Sequence, residues 1–202
     1  MKHKSKVPSI FLEFQVFVEK QLSSKILALQ TDWEGEFRPL LPILENFGIL
    51  FWHPCPCTHQ QQRRVERKHR HIIDFSLTLL AQAAIPLTFQ WNACVSSVFI
   101  INRLPTKVLT NFQSPFESLF GSKPDYSFFK VFGCSCYPYL RPYNSHKFSF
   151  KSTKCLFLGY YPDHKRYRCL SPSGRIYVAK SVTFNENDFP YSTLFAQPNT
   201  PH

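Results

Sequence analysis

The spacing of apolar residues changes near residue 125, and that change constrains the fold more than any other feature. Up to that point apolar positions recur at helical intervals. Beyond it they alternate, as in KVFGCSCYPYL, KCLFLGYY, KRYRCL, GRIYVAK and SVTF. Alternation over short runs means half-buried strands, and Ser171-Pro172-Ser173-Gly174 is a turn between two of them. The second part therefore reads as a small β-barrel-like module over about 128–188. The first part reads as α/β. Residues 8–22 form a helix with Pro8 in its first turn and Phe11, Phe14 and Val18 at helical spacing. Residues 25–31 are a short apolar run suited to a buried strand, residues 49–52 are a second short strand, and residues 36–47 are an amphipathic helix ending near Gly48. Residues 60–85 form a long helix, polar at its start and buried towards its end, stopped by Pro86. A further helix over 88–103 presents Trp91, Cys94, Val95, Val98 and Ile101 on one face.

The 202 residues suffice for one large or two small domains, and 44% hydrophobic content is enough to build a core. Net charge is +11, so the partner expected is a polyanion, because Lys and Arg displace phosphate counterions. Between Lys130 and Lys180 there are ten Lys or Arg and a single acid, Asp163, with Tyr and Phe interleaved. That mixture suits phosphate contact with base stacking; the plainer reading is a solvated basic face. Seven Cys, an odd number spread along the chain, point to reduced thiols. Glu13, Gln15 and Glu19 break any signal-peptide core after MKHKSK, and no apolar run reaches membrane-spanning length. No membrane partner is expected.

HPCPCTH at 53–59 contains two His and two Cys, all zinc-ligand types. Structural zinc sites bring two ligands from one turn to meet two from a distant element. Four ligands in one extended heptapeptide with two prolines lie instead in a row about 20 Å long. This is a strand end and loop, and no zinc is expected. Cys134-Ser135-Cys136 lacks CxxC spacing and is expected to serve packing.

TDWEGEF at 31–37, GILFWHPCPCTHQQQRRVERKHRHI at 48–72 and LPTKVLTNFQSPFESLFGSKPDY at 104–126 resemble a copia-type LTR-retrotransposon integrase. The likeness continues through VFGCSCYPYLRPY, HKFSFKSTKCLFLGY and GRIYVAKSVTFNENDFPY, and it covers nearly the whole chain. The resemblance implies an RNase H-like core whose three carboxylates, in the order Asp, Asp, Glu, hold two Mg²⁺ (or Mn²⁺) ions for DNA strand transfer. Asp32 matches the second Asp and Glu66 the Glu, 34 residues apart. Gln62 matches a position in a DNA-touching loop. Arg63, Arg64, Lys68 and Arg70 flank the site. In the later module Lys147, Lys151, Lys154, Lys165, Arg166 and Arg168 are the candidate phosphate contacts. DNA, other integrase subunits and the nucleus follow as expected partners and location.

The sequence also departs from the family. The first catalytic Asp belongs to a strand upstream of KHKSK, so three strands and one carboxylate are expected to be missing and the chain to be inactive alone. Glu34 and Arg63-Arg64 stand where the family usually has Gly. The expected organisation is a truncated RNase H-like α/β core with long helices at 1–104, a helical linker at 105–127, an all-β SH3-like module at 128–190 and a disordered tail at 191–202. Two rival readings are a non-enzymatic nucleic-acid-binding module and a translated relic without function.

Overall fold

A computed structural model describes residues 6–31, 35, 37–52, 63–143, 146–161 and 165–195, with Arg63 and Arg64 described by backbone alone. The chain divides into two compact units, Met1–Lys68 and His69–His202.

In the first unit, helix α1 (Val7–Leu22) carries Pro8 in its first turn, where a missing N–H costs nothing, and ends at Ser23 in the left-handed region. It buries Val7, Phe11 and Gln15, whereas Phe14 is 54% exposed, so the buried stripe is narrower than the helical spacing implied. Strand β1 (Ala28–Gln30) pairs in parallel with β2 (Leu50–Trp52), in register Ala28 with Leu50 and Gln30 with Trp52. A parallel pair needs a crossover, supplied here by a 3₁₀ turn (Arg38–Leu40) and helix α2 (Leu41–Asn46). Gly48 has φ +66°, and the Ile49 N–H returns to the Leu44 carbonyl at 2.9 Å, closing α2 into β2. Val7, Phe11, Leu40, Leu44 and Ile49 form the core of this unit.

The second unit is a five-stranded antiparallel sheet with helices packed on it. The strands are β3 (Ser135–Pro138), β4 (Cys155–Tyr161), β5 (Arg166–Leu170), β6 (Ile176–Ala179) and β7 (Val182–Asn185), in spatial order β6-β5-β4-β3-β7. The turn predicted at Ser171–Gly174 joins β5 to β6, with Gly174 at φ +81°. β4 is buried along Cys155–Tyr160 because both its faces are covered. One face meets Leu80, Ala83, Ile85 and Ala93 through Leu156 and Leu158. The other carries Cys134, Cys136, Cys155, Phe157, Tyr160, Tyr167 and Cys169.

Helix α3 (Arg63–Gln82) contributes its residues from His69 onward to this unit. It ends before Pro86: Ala84 takes φ +50°, and the Ile85 N–H bonds to the Leu80 carbonyl at 2.9 Å. Its apolar half is only partly covered, since Ser76 and Leu80 are buried while Ile73 and Leu77 are exposed. Helix α4 (Gln90–Ile101) buries a different face from the one expected. Ala93, Ser96, Ser97 and Ile101 face inward, whereas Trp91 is 70% exposed. The sheet backbone approaches too closely for larger side chains. Gly159, at φ +104°, sits where any Cβ would collide with Ser96 Oγ. Gly133, at φ +79°, sits where one would collide with the Ala83 methyl and come within 2.9 Å of Ile85 Cδ1. Ser76 Oγ donates to Ser97 Oγ at 2.9 Å, tying α3 to α4.

Helix α5 (Pro115–Phe120) begins with Ser114 accepting from the Glu117 N–H, the N-cap arrangement. The segment from Tyr191, expected to be loose, starts with a helical turn, α6 (Tyr191–Leu194). Tyr191 stacks on Phe195 and meets Phe89 edge-on, which anchors it to the core. Residues 196–202 lie outside the described residues.

Gly159→Ala is expected to cost about 2–4 kcal/mol, from overpacking against Ser96 and from the positive φ. Urea denaturation measures it, and a loss below about 1 kcal/mol would contradict this packing.

Candidate nucleic-acid interface and carboxylates

Glu66 stands exposed in the first turn of α3, with Lys68 and Arg70 exposed beyond it. Asp32 and Gln62 lie outside the described residues, as do Glu34 and the HPCPCTH segment. β1 ends at Gln30, two residues before Asp32. Among the described residues no group of three or more His, Cys, Asp or Glu side chains is placed to hold a metal ion.

The basic module separates its cations into two groups. Three lysines are held by acids. Lys154 Nζ lies 2.7 Å from Asp188 Oδ2, Lys165 Nζ 3.3 Å from Asp125 Oδ2, and Lys130 Nζ 3.5 Å from Glu186 Oε1. Asp188 also accepts from Ser135 Oγ at 2.6 Å, and its backbone carbonyl accepts from the Ser135 N–H at 2.7 Å. It therefore clamps the start of β3 to the residue before β4. The hydrogen bonds from Lys154 and Ser135 hold the Asp188 carboxyl below its ordinary value, and Asp188 raises Lys154 in turn. The second group is Lys147, Lys151, Arg166 and Arg168, which carry no ion pair among the described residues. Lys147, Lys151 and Arg166 are exposed; Arg168 is half-buried. Arg141, Arg175 and Lys180 likewise carry no ion pair among the described residues.

The loop over 141–150 is closed at its base by the Leu140 N–H donating to the Lys151 carbonyl at 2.7 Å. Within it Tyr143 donates its hydroxyl to the Val178 carbonyl of edge strand β6 at 2.8 Å and meets Tyr177 edge-on at 5.1 Å. The Arg175 guanidinium lies 5.1 Å from the Tyr177 ring centre and 5.8 Å from that of Tyr143. The sequence reading did not single out Tyr143, Tyr177 or Arg175. Their only early signal is the interleaving of basic and aromatic residues.

Other groups of reactive type are structural. Burial pushes the thiols of Cys134 and Cys155 up to about 12, and a hydrogen bond with Cys169 together with burial raises Cys136 further. A thiol so raised is a packing group, as expected for Cys134 and Cys136, and not a nucleophile. Tyr160, raised to about 12 by burial, stacks on Phe99 at 4.0 Å and bonds through its hydroxyl to the backbone of Lys130. Arg103 lies over Phe99 at 3.6 Å and donates to the Phe99 carbonyl at 3.1 Å; burial lowers its pKa.

Residues 134–197 match the family model of the retroviral polymerase SH3-like domain. Across 96% of its length the chain is 45% identical to the retrovirus-related Pol polyprotein from transposon RE2 of Arabidopsis thaliana. The chain belongs to the retrovirus-related Pol polyproteins of copia-type transposons. It is 42% identical to the RE1 Pol polyprotein of the same plant over 97% of the chain. It is 28% identical over 93% to that of the TNT 1-94 transposon of Nicotiana tabacum. The chain spans 13% to 14% of the length of these relatives. The five-stranded sheet of this Pol segment is consistent with the SH3-like domain. Among the described residues no helix is long and apolar enough to cross a membrane.

The depressed Asp188 carboxyl sets a pH dependence. Its contribution to stability is present above the ordinary 3.8 and is lost as pH falls through its lower folded value. Asp188→Asn is therefore expected to flatten the fall in thermal midpoint below about pH 4. Identical profiles for the two proteins would contradict the clamp.

Proposed function

We propose that this chain is part of the integrase region of a retrotransposon Pol polyprotein, where it binds DNA and contributes to DNA integration. The observation that carries the reading is likeness to Pol polyproteins along nearly the whole chain, joined to a module whose cations without an ion pair among the described residues include Lys147, Lys151, Arg166 and Arg168. Those four bind phosphates, while Lys154 and Lys165, held by Asp188 and Asp125, serve chiefly to fix the module.

Asp32 and Glu66 would hold Mg²⁺ or Mn²⁺ together with a third carboxylate from elsewhere in the polyprotein. Carboxylate oxygens suit a hard divalent ion, and Glu66, exposed in the first turn of a helix, is accessible to one. The bound ions supply charge stabilisation for phosphodiester attack by a 3′-hydroxyl. Lys68 and Arg70, on the same helix as Glu66, orient the DNA backbone beside it, and Gln62, Arg63 and Arg64 precede it on the same side of the sequence. Two carboxylates are a poor cage for two ions, so the 202-residue chain by itself binds DNA without strand transfer. Assembly with other integrase subunits and action in the nucleus follow from the same reading.

Binding is expected to weaken with salt, with log K against log salt falling at a slope of about −3 to −4 for four phosphate contacts. Fluorescence anisotropy with duplex DNA measures it, and a slope near zero would contradict the assignment. Asp32→Asn with Glu66→Gln should leave this binding unchanged and abolish strand transfer by an integrase comprising the segment and its third carboxylate. Strand transfer that survives both changes would remove the carboxylates from the mechanism.

A further inference from the structure

The segment that follows α4 turns apolar side chains outward. Val108 is 90% exposed and Phe112 64%, and Leu104, Leu119 and Phe120 are exposed as well. The segment is held in place all the same. The Phe116 N–H donates to the Asn102 carbonyl at 2.8 Å, and the Arg103 guanidinium lies over the Phe99 and Phe116 rings, 3.6 and 4.7 Å from their centres. The Thr106 N–H donates to the Gln113 carbonyl at 3.2 Å and closes the loop that carries Val108 and Phe112. Within that loop Asn111 and Phe112 stand at φ +56° and +54°, two successive residues in the left-handed region. Asn enters that region readily; Phe does so against the clash of its Cβ with the backbone. The strained residue presents its ring to solvent, so core packing does not offset the strain. Backbone strain of this kind collects at sites of binding.

Charge decides what covers these side chains. From Leu104 to Gly121 the charged residues are Lys107 and Glu117, a net charge of zero in a chain of net +11. A neutral segment has no pull on phosphates. It is instead a surface on which two strongly basic copies of one chain can meet, since basic surfaces elsewhere repel. Resting on the assembly with other subunits read above, we infer that two copies of this chain pair through the 104–120 segment, with Val108 and Phe112 at the contact. Such a contact uses the same patch on both copies, so Lys107 and Glu117 are available to each other across it.

The test is sedimentation equilibrium of the full chain without DNA, from about 1 to 200 μM. A dimer is expected. Raising NaCl from about 0.1 M to about 0.5 M should tighten it by about twofold or more, because screening relieves repulsion between the copies. DNA binding moves the opposite way with salt. Phe112→Gly removes the ring and suits the positive φ, so the thermal midpoint should hold or rise while the dimer weakens by about 10-fold or more. Val108→Asp should weaken it likewise, and both variants should keep duplex DNA affinity within about twofold of the parent. A dimer unchanged by both substitutions, or one that weakens with salt, would overturn this surface and leave assembly through another. A chain that stays monomeric throughout would overturn assembly of this segment with its own copies as well. Neither result bears on DNA binding, which the anisotropy measurement decides separately.

Discussion

The close approach of two helices to the backbone of the sheet, at Gly133 and Gly159, governs the second unit. At each glycine a Cβ would meet helix atoms, so the helices carry small residues there: Ala83 on the exit from α3, Ser96 on α4. That proximity leaves room for the Ser76–Ser97 hydrogen bond between the helices and places Leu80, Ile85 and Ala93 on Leu156 and Leu158. It also explains why β4, expected from the sequence to alternate with one wet face, is buried on both faces. A register shift between Phe157 and Tyr160, beside Gly159, bends β4 at the contact.

Periodicity alone identified most elements. The strands after residue 125, the Ser171–Gly174 turn, the helix at α1 and both short strands of the first unit all follow from local spacing. What spacing did not reveal was which helix face is inward. On α4 the large residues Trp91 and Val98 suggested one face, but the sheet demanded the opposite logic, small residues against backbone. Such a contact is fixed by residues some sixty positions apart and leaves no local trace. The anchoring of Tyr191 on Phe89 is hidden for the same reason.

The candidate site was legible to a different degree. Glu66 at the start of a helix is visible in sequence, and the structure places it there, exposed. The basic stretch was legible as a whole, but not its division. Lys154 meets Asp188 and Lys165 meets Asp125, partners 34 and 40 residues away, so only folding shows which cations are already neutralised. The consequence is a division of labour within a basic surface. Some lysines are held by acids, and others carry no ion pair among the described residues.

The sheet and the end of α3 with α4 form one cooperative block, so that the SH3-like region does not stand apart from the helices packed on it. Native-state hydrogen exchange on the full chain tests that most directly. Amides of α4 around Ser96 and Ser97 should open with the same free energy as those of β4 around Phe157. Opening of α4 at a free energy lower by about 2 kcal/mol or more, with β4 still protected, would show that the helices are an appendage and contradict the account.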